Sequence, residues 1–249
     1  MKTNEFRVEK FTRREFRQAR EAEKFGTAII ATGSIEQHLE HLAMVQDIAS
    51  STRIAELVAE RLYPEVVLAV PINVGIAEHH MHSVGTLTVK PQTWLAVVYD
   101  TVETLVRHGI KRVLILNGHG GNRRPIYGII NQWEKYFDRE HGGEVDLRFH
   151  NYWDVLSHEI VNNIQSGPGF PSHAKEFETS IALHLFPDNV RCDDIPYSED
   201  VGASSATAEK GEKLSEAIVD GVAEIVTGMI AGQPDESPKP HLNIPKRQT

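Results

Sequence analysis

The chain has 249 residues, of which 24% are charged and 40% hydrophobic, a composition that is ordinary for a globular protein and excludes disorder, collagen and a coiled coil. Its formal net charge is −9, so its composition lacks the excess of Lys and Arg that is typical of nucleic-acid-binding proteins. We therefore expect no nucleic-acid partner. The sequence shows no signal-peptide pattern and no run near the ~20 apolar residues of a membrane span. Because it has no apolar run of that length, we expect no membrane partner. Cys192 is the single cysteine, so no disulfide can form within the chain, and we expect a cytoplasmic protein.

Short apolar runs and longer periodic segments alternate along the chain. The runs rich in β-branched residues predict buried strands at 27–33, 66–72, 112–118 and 144–150. Apolar residues that recur every three or four positions predict helices at 48–62, 94–107, 126–137 and 205–231. Such alternation favours parallel strands joined by crossovers that cover both faces of the sheet. We therefore predict an α/β fold, a three-layer αβα sandwich with a mostly parallel central sheet.

The length suits one domain around a single sheet, so we predict a single domain over residues 1–249. The last helix carries an apolar stripe that we expect to pack on the core or on a neighbouring subunit. Residues 233–249 contain four prolines and little apolar content, which predicts an extended carboxyl-terminal arm.

The first predicted strand is followed by residues of metal-ligand type. Glu36 and His38 come directly after it, and Asp47 opens the next helix. Carboxylates and imidazole at this spacing fit divalent metals, although a helix-capping Asp47 beside two solvated loop residues explains the same spacing. Because ligands of open parallel sheets bind beyond the carboxyl ends of the strands, the position favours a metal site.

The third predicted strand leads into NGHGGN, residues 117–122, at the same edge of the sheet. Gly120 and Gly121 suit a tight turn with Asn122 as the helix cap, and their amides can also approach a bound anion or a developing oxyanion. The turn does not explain His119. We therefore take His119 as a candidate metal ligand and the two glycines as candidate substrate-binding residues.

The fourth predicted strand is followed by Trp153, a candidate substrate wall, although a lone tryptophan is more often a core residue. The loop GPGFPSHAKEFETS, residues 167–180, comes next. The glycines and prolines of this loop exclude helix as far as about His173. The loop delivers His173 and Glu178 to the same edge, although a capping Ser172 and acidic residues that complement a helix dipole explain the pattern as well.

The segment PINVGIAEHHMHSVGTLTV carries three of the 13 histidines: His79, His80 and His82. Consecutive histidines cannot share one face of a strand, so we expect only some of them to serve a common site. We take His80 as the candidate that contacts substrate.

These motifs together resemble the creatininase (creatinine amidohydrolase) family. GSIEQH followed by QDI resembles the family's metal-binding signature, NGHGGN its second motif and SHAKEFETS its third. VGIAEHHMHSVGTLT resembles the family's fourth stretch, and AEKGEKLSEAIVDG resembles its last helix. The matches keep their order from about residue 27 to residue 230.

The resemblance implies an αβα hydrolase with two divalent metal ions, Zn²⁺ and/or Mn²⁺ with Fe²⁺ as a further option, assembled as a homohexamer of dimers. By position, Glu36, Asp47 and His119 would hold one metal. His38 and Asp47 would hold the other, so that Asp47 bridges the pair. His173 corresponds to the family histidine that handles protons.

The chain departs from creatininase itself at one ligand position. There the second metal also takes a Glu preceded by a Tyr, and Gly121 and Gly120 stand at those places here. The NGHGGN form looks more like relatives that deformylate a formamidopyrimidine nucleotide, process a redox-cofactor peptide or open a keto-inositol ring. Glu178 is our candidate for the vacant ligand, with a catalytic role in ligating or orienting water.

We therefore predict a binuclear amidohydrolase in which hydroxide on the two-metal centre attacks a C–N amide bond of a small cyclic amide or formamide. Its partner is a small-molecule substrate. Two alternatives stay open: opening of a keto-cyclitol ring by the same centre, and a metal-stabilised pseudoenzyme without turnover.

Overall fold

The structure, a computed structural model, describes residues 4–167, 169–197 and 201–235. Its sheet has the strand order β2–β1–β3–β4, and all pairs are parallel. The strands are β1 (Thr27–Thr32), β2 (Val66–Leu68), β3 (Arg112–Asn117) and β4 (Asp146–Asn151). In register, Thr32 lies beside Asn117, and Asn117 beside Asn151. Three strands therefore end level with one another at a single edge of the sheet.

Helices cover both faces of this sheet. They are α1 (Arg13–Glu21), α2 (Gln46–Arg61), α3 (Pro91–Arg107), α4 (Arg123–Tyr127), α5 (Ile130–Glu140), α6 (His158–Ile164), α7 (Glu176–Leu185) and α8 (Ala208–Ile230). Ile29 and Ala31 of β1 pack with α2, α7 and α8, whereas Ala28 and Ile30 pack with α3 and α5. Successive residues of a buried parallel strand face opposite layers, so both must be apolar. The predicted three-layer αβα sandwich is confirmed.

Some element boundaries differ from the predicted ones. The helix predicted at 126–137 is broken into α4 and α5 around Gly128, a residue of low helix propensity. Helix α3 begins earlier than predicted, at Pro91, because proline suits the first turn, where its missing N–H is not needed. Helix α1 was not predicted; its signal is the capping box of Thr12 and Glu15.

The carboxyl-terminal arm predicted at 233–249 lies outside the described residues, apart from its first three. Of those, Gln233 donates a backbone hydrogen bond to Gly228 at the end of α8. A single domain over the whole chain stays a prediction. Within the described ranges, no helix is long and apolar enough to cross a membrane.

Candidate metal centre

The loop after β1 folds back against the first turn of α2. The backbone N–H of Glu36 donates to Met44 O at 3.1 Å, which closes the loop. Gly33 lies so close to α2 that a Cβ there would be 2.5 Å from the backbone N of Ile48. This close approach brings Asp47 to the end of β1. Asp47 does not cap the helix, since the residue at the cap position is Val45, without a side-chain hydrogen bond.

Asp47 lies between two groups of candidate ligands. Its Oδ2 is 2.9 Å from Nδ1 of His119, which is also 3.2 Å from Oε2 of Glu36. Its Oδ1 is 3.1 Å from Nε2 of His38, which is 3.8 Å from Oε2 of Glu178. All five side chains are buried. We call these five residues the acidic cluster, in which the two oxygens of Asp47 face opposite halves.

The donor set of the acidic cluster fits divalent cations. Oε2 of Glu36 and Oδ2 of Asp47 are buried, and both face the same imidazole nitrogen, Nδ1 of His119, at 3.2 and 2.9 Å. A single N–H cannot fully satisfy two buried carboxylate oxygens, whereas a divalent cation would compensate both. One ligand atom each from Glu36, His38 and Asp47 lies within 4.8 Å of the others, and His38, His173 and Glu178 form a second such group. Carboxylate and imidazole suit Zn²⁺ and Mn²⁺.

Both imidazoles of the acidic cluster are oriented by backbone carbonyls. Nε2 of His119 is 3.0 Å from Ile76 O, and Nδ1 of His38 is 3.0 Å from Glu36 O. A nitrogen that faces a carbonyl must carry the proton, so the other ring nitrogen of each histidine is directed at Asp47. This is the tautomer arrangement of histidines that ligate metals.

The charges of the acidic cluster are strongly coupled. Burial alone would lower the pKa of His38, but the adjacent Asp47 carboxylate raises it to about 9. Burial acts in the same direction on His119, and hydrogen bonds to Asp47 and Glu36 raise its pKa to about 10. Burial would raise the pKa of Asp47, yet the two imidazoles hold it far below its usual range. Burial raises the pKa of Glu178 to about 7. In the absence of metal, protons on the imidazoles balance the carboxylates.

Asn117, at the end of β3, anchors the loop that carries His119. Its Nδ2 donates to His119 O at 2.6 Å and to Oδ1 of Asn151 at 2.8 Å. Its Oδ1 accepts from the Thr32 hydroxyl and from Nδ2 of Asn122, both at 3.0 Å. These hydrogen bonds join the carboxyl ends of β1, β3 and β4. The Asn122 amide donates to Asn117 Oδ1 and to Gly33 O, and its side chain does not cap α4.

A cavity of about 200 Å³ opens over the acidic cluster. It is lined by Glu36, Asp47, His79, His80, Gly118, His119, Gly120, Arg123, Trp153, Pro171, Ser172, His173 and Glu178. A Cβ at Gly120 would meet no atom within 4 Å. Gly121 instead lies behind the ring of His119, where a Cβ would be 2.1 Å from Ile76 O. Its lack of a side chain thus permits the hydrogen bond between His119 and Ile76.

His173 is held beside the acidic cluster by Gln37. The Gln37 amide oxygen accepts from the backbone N–H of Leu39, so its Nε2 is directed at Nε2 of His173 and Nδ1 of His80, each at 2.9 Å. The Nδ1 of His173 lies 3.8 Å from Oε1 of Glu36. Burial and the nearby His38 lower the pKa of His173 to about 4, so this imidazole is neutral at pH 7.

The sequence pattern missed three residues of this region: Gln37, His79 and Arg123. The expectation that only some of the three neighbouring histidines share a site agrees with the cavity lining, which includes His79 and His80 but not His82. Its premise of a strand is wrong, because Glu78–His80 is a single 3-10 turn. Gln37 lies inside the GSIEQH motif, where its polar side chain was the available signal. The capping alternative for Ser172 is also wrong, since α7 begins at Glu176 and the Ser172 hydroxyl is buried without a described partner.

Comparisons with known proteins match most of the chain. A family model described as Creatininase, creatinine amidohydrolase, matches residues 9–204. The creatinine amidohydrolase of Pseudomonas putida is 27% identical over 231 residues, which cover 80% of this chain and 87% of that protein. The mycofactocin precursor peptide peptidase of Mycobacterium ulcerans is 26% identical over 172 residues, 66% of this chain and 60% of that protein. A solved structure named creatininase Mn has a TM-score of 0.79 at 24% identity and covers 89% of this chain and 97% of its own.

Proposed function

The chain belongs to the creatininase family of hydrolases, and from this premise we propose that it is a binuclear metal-dependent amidohydrolase acting on a small cyclic amide or formamide. The observation that carries the proposal is the position of Asp47, whose two oxygens face two separate groups of imidazole and carboxylate ligands. A bridging carboxylate of this kind is what two neighbouring divalent ions need. The name of the Mn-containing relative supports the choice of Mn²⁺.

The acidic cluster divides into two ligand sets. Glu36, Asp47 and His119 would hold one ion, and Asp47, His38 and Glu178 would hold the other. Glu178 supplies the carboxylate that Gly121 cannot, since its Oε2 is 3.8 Å from the Nε2 of His38. When bound, divalent ions lower the pKa of water from ~15.7 toward ~7 and polarise a carbonyl group.

The remaining residues of the cavity would position the substrate and move a proton. Trp153 would provide a flat wall, and Gly120 leaves open space beside it for a substrate. His173 is neutral and lies beside Glu36, with its Nδ1 facing the acidic cluster. As a neutral base, His173 would accept a proton from the attacking water and then donate it to the leaving nitrogen, because its low pKa makes the protonated form a strong acid.

The size of the cavity favours a small substrate over a peptide. Pockets that enclose drug-sized ligands have volumes of about 300–1,000 Å³, and this one has about 200 Å³. We therefore favour a small amide, as in the name of the creatinine amidohydrolase relative, over a peptide, as in the name of the peptide peptidase relative. Assembly as a homohexamer, a cytoplasmic location and the keto-cyclitol and pseudoenzyme alternatives stay predictions that await experiment.

Metal content and turnover together test the proposal. Protein purified without chelator should contain close to two divalent ions per chain by mass spectrometry of the metals. Asp47→Asn should lose both ions and all turnover, because it removes the charge shared by the two ligand sets. The matched control is Asp100→Asn, on the exposed side of α3, which should change neither.

Turnover is measured with cyclic amides, formamides and keto-cyclitols in the presence of Mn²⁺ or Zn²⁺. Ring opening only of keto-cyclitols would select that alternative. Bound metal without turnover on any substrate would favour the pseudoenzyme. A metal-free protein with normal activity would refute the mechanism.

A further inference from the structure

Arg123 is the only lysine or arginine among the described residues that line the cavity. It follows the 3-10 turn Gly120–Asn122, and its backbone N–H donates to Gly120 O. Residues three apart in a 3-10 turn lie one above the other, so Arg123 projects on the same side as Gly120, where the space is open. A fixed positive charge is therefore built into the wall of the cavity.

Among the described residues, the guanidinium of Arg123 forms no ion pair with a carboxylate, and its Nε is buried without a hydrogen-bond partner. The hydroxyl of Tyr127 lies beside the guanidinium, but a phenol does not neutralise the charge. A partly desolvated cation is costly unless an anion compensates it. An anionic group entering the cavity would supply that compensation.

The surroundings of Arg123 suit an oxyanion at one end of a flat substrate. Trp153 lies just after β4, and Arg123 lies just after β3. Because these two strands are paired, both side chains reach the cavity from neighbouring strand ends. The Ser172 hydroxyl, buried and without a described partner, lines the same cavity. Guanidinium binds carboxylates and phosphates through paired N–H donors.

We propose that Arg123 binds a negatively charged oxyanion of the substrate, a carboxylate or a phosphate, and so makes the site selective for anionic amides. This inference rests on the proposed function, since it names the class of amide that the same cavity accepts. The amide to be cleaved then lies toward the acidic cluster, and the oxyanion lies at the Arg123 end.

Matched pairs of probes test the charge preference directly. N-formylglycine is compared with N-formylglycinamide, and formylaminomethylphosphonate with its neutral dimethyl ester, by titration calorimetry on the Mn²⁺-loaded protein. The two pairs distinguish a carboxylate from a phosphate-like group. We expect the anionic member of at least one pair to bind about tenfold or more tightly than its neutral partner.

Variants assign that preference to Arg123. Arg123→Gln should abolish it, and Arg123→Lys, which keeps the charge but not the paired donors, should retain part of it. The matched control is Arg124→Gln, because Arg124 is the exposed neighbour in the same helix. The proposal is overturned if wild-type protein binds both members of each pair equally, or if Arg123→Gln keeps the preference.

Hydrolysis of the same probes separates this inference from the proposed function. Charge-selective binding that depends on Arg123, with no turnover of any amide, would support the anion site and count against the hydrolase. Turnover that is equal for charged and neutral amides and unaffected by Arg123→Gln would overturn the anion site while leaving the hydrolase in place.

Discussion

Truncation of Asn117 tests whether the site rests on a buried network of hydrogen bonds. Asn117→Ala removes four hydrogen bonds of 2.6–3.0 Å from a side chain with no solvent exposure. The substitution leaves two buried groups without a side-chain partner among the described residues. These groups are the Thr32 hydroxyl and Oδ1 of Asn151. Each buried group left unsatisfied costs about 1–3 kcal/mol. We expect a total loss of about 4 kcal/mol in the free energy of unfolding.

The assay is thermal and urea unfolding in the presence of chelator, so that metal binding does not contribute. For a chain of this size, a loss of about 4 kcal/mol lowers the Tm by about 12 °C. The matched control is Asn163→Ala, on the exposed side of α6, which should change stability by less than about 0.5 kcal/mol. A loss below about 1 kcal/mol at Asn117 would show that water or relaxation replaces the network, and the reasoning would fail.

Two further predictions concern titratable groups. In metal-free protein the pKa values of His38 and His119 are raised to about 9 and about 10. The protonated imidazoles therefore stabilise the folded state fully below pH 6.5, the pKa of histidine in the unfolded chain, and this contribution is lost as the pH rises through the folded pKa values. The urea midpoint in chelator should therefore fall between pH 7 and pH 10, and a flat profile would contradict this. Glu176 accepts from Lys210 at 2.6 Å and from two backbone amides, which outweigh burial and lower its pKa. Glu176→Gln should cost about 2 kcal/mol at pH 7, a difference that disappears as the carboxylate is protonated in acid, whereas Glu209→Gln on the surface should not change the urea midpoint.

The fold and the gathering of the candidate ligands were predictable because they follow from topology. Parallel strands place their carboxyl ends at one edge, so residues after β1 and β3 meet there whatever the helices between them do. The predicted residues Glu36, His38, Asp47 and His119 lie together for this reason, whereas Glu178 reaches them because α7 packs on α2, where the Gln46 amide donates to Glu178 O.

The rest depended on contacts that no local pattern reveals. The role of Gln37 follows from the orientation of its amide, which the N–H of Leu39 determines. Arg123 and Arg124 are adjacent arginines that the sequence alone does not distinguish. The packing of the turn half-buries Arg123 and leaves Arg124 exposed. The placement of His79 beside His80 was not predictable, because a 3-10 turn and a strand have different periodicities and the sequence offered no signal to choose between them.

The spread of the acidic cluster along the chain has a consequence for how the protein matures. Its members run from Glu36, after the first strand, to Glu178, in the first turn of α7, so a growing chain lacks a complete site until α7 has been synthesised and has packed. Pairings between distant parts of a chain form late in folding. Metal loading should therefore follow folding rather than nucleate it, and bound metal would mark chains that have reached the native state.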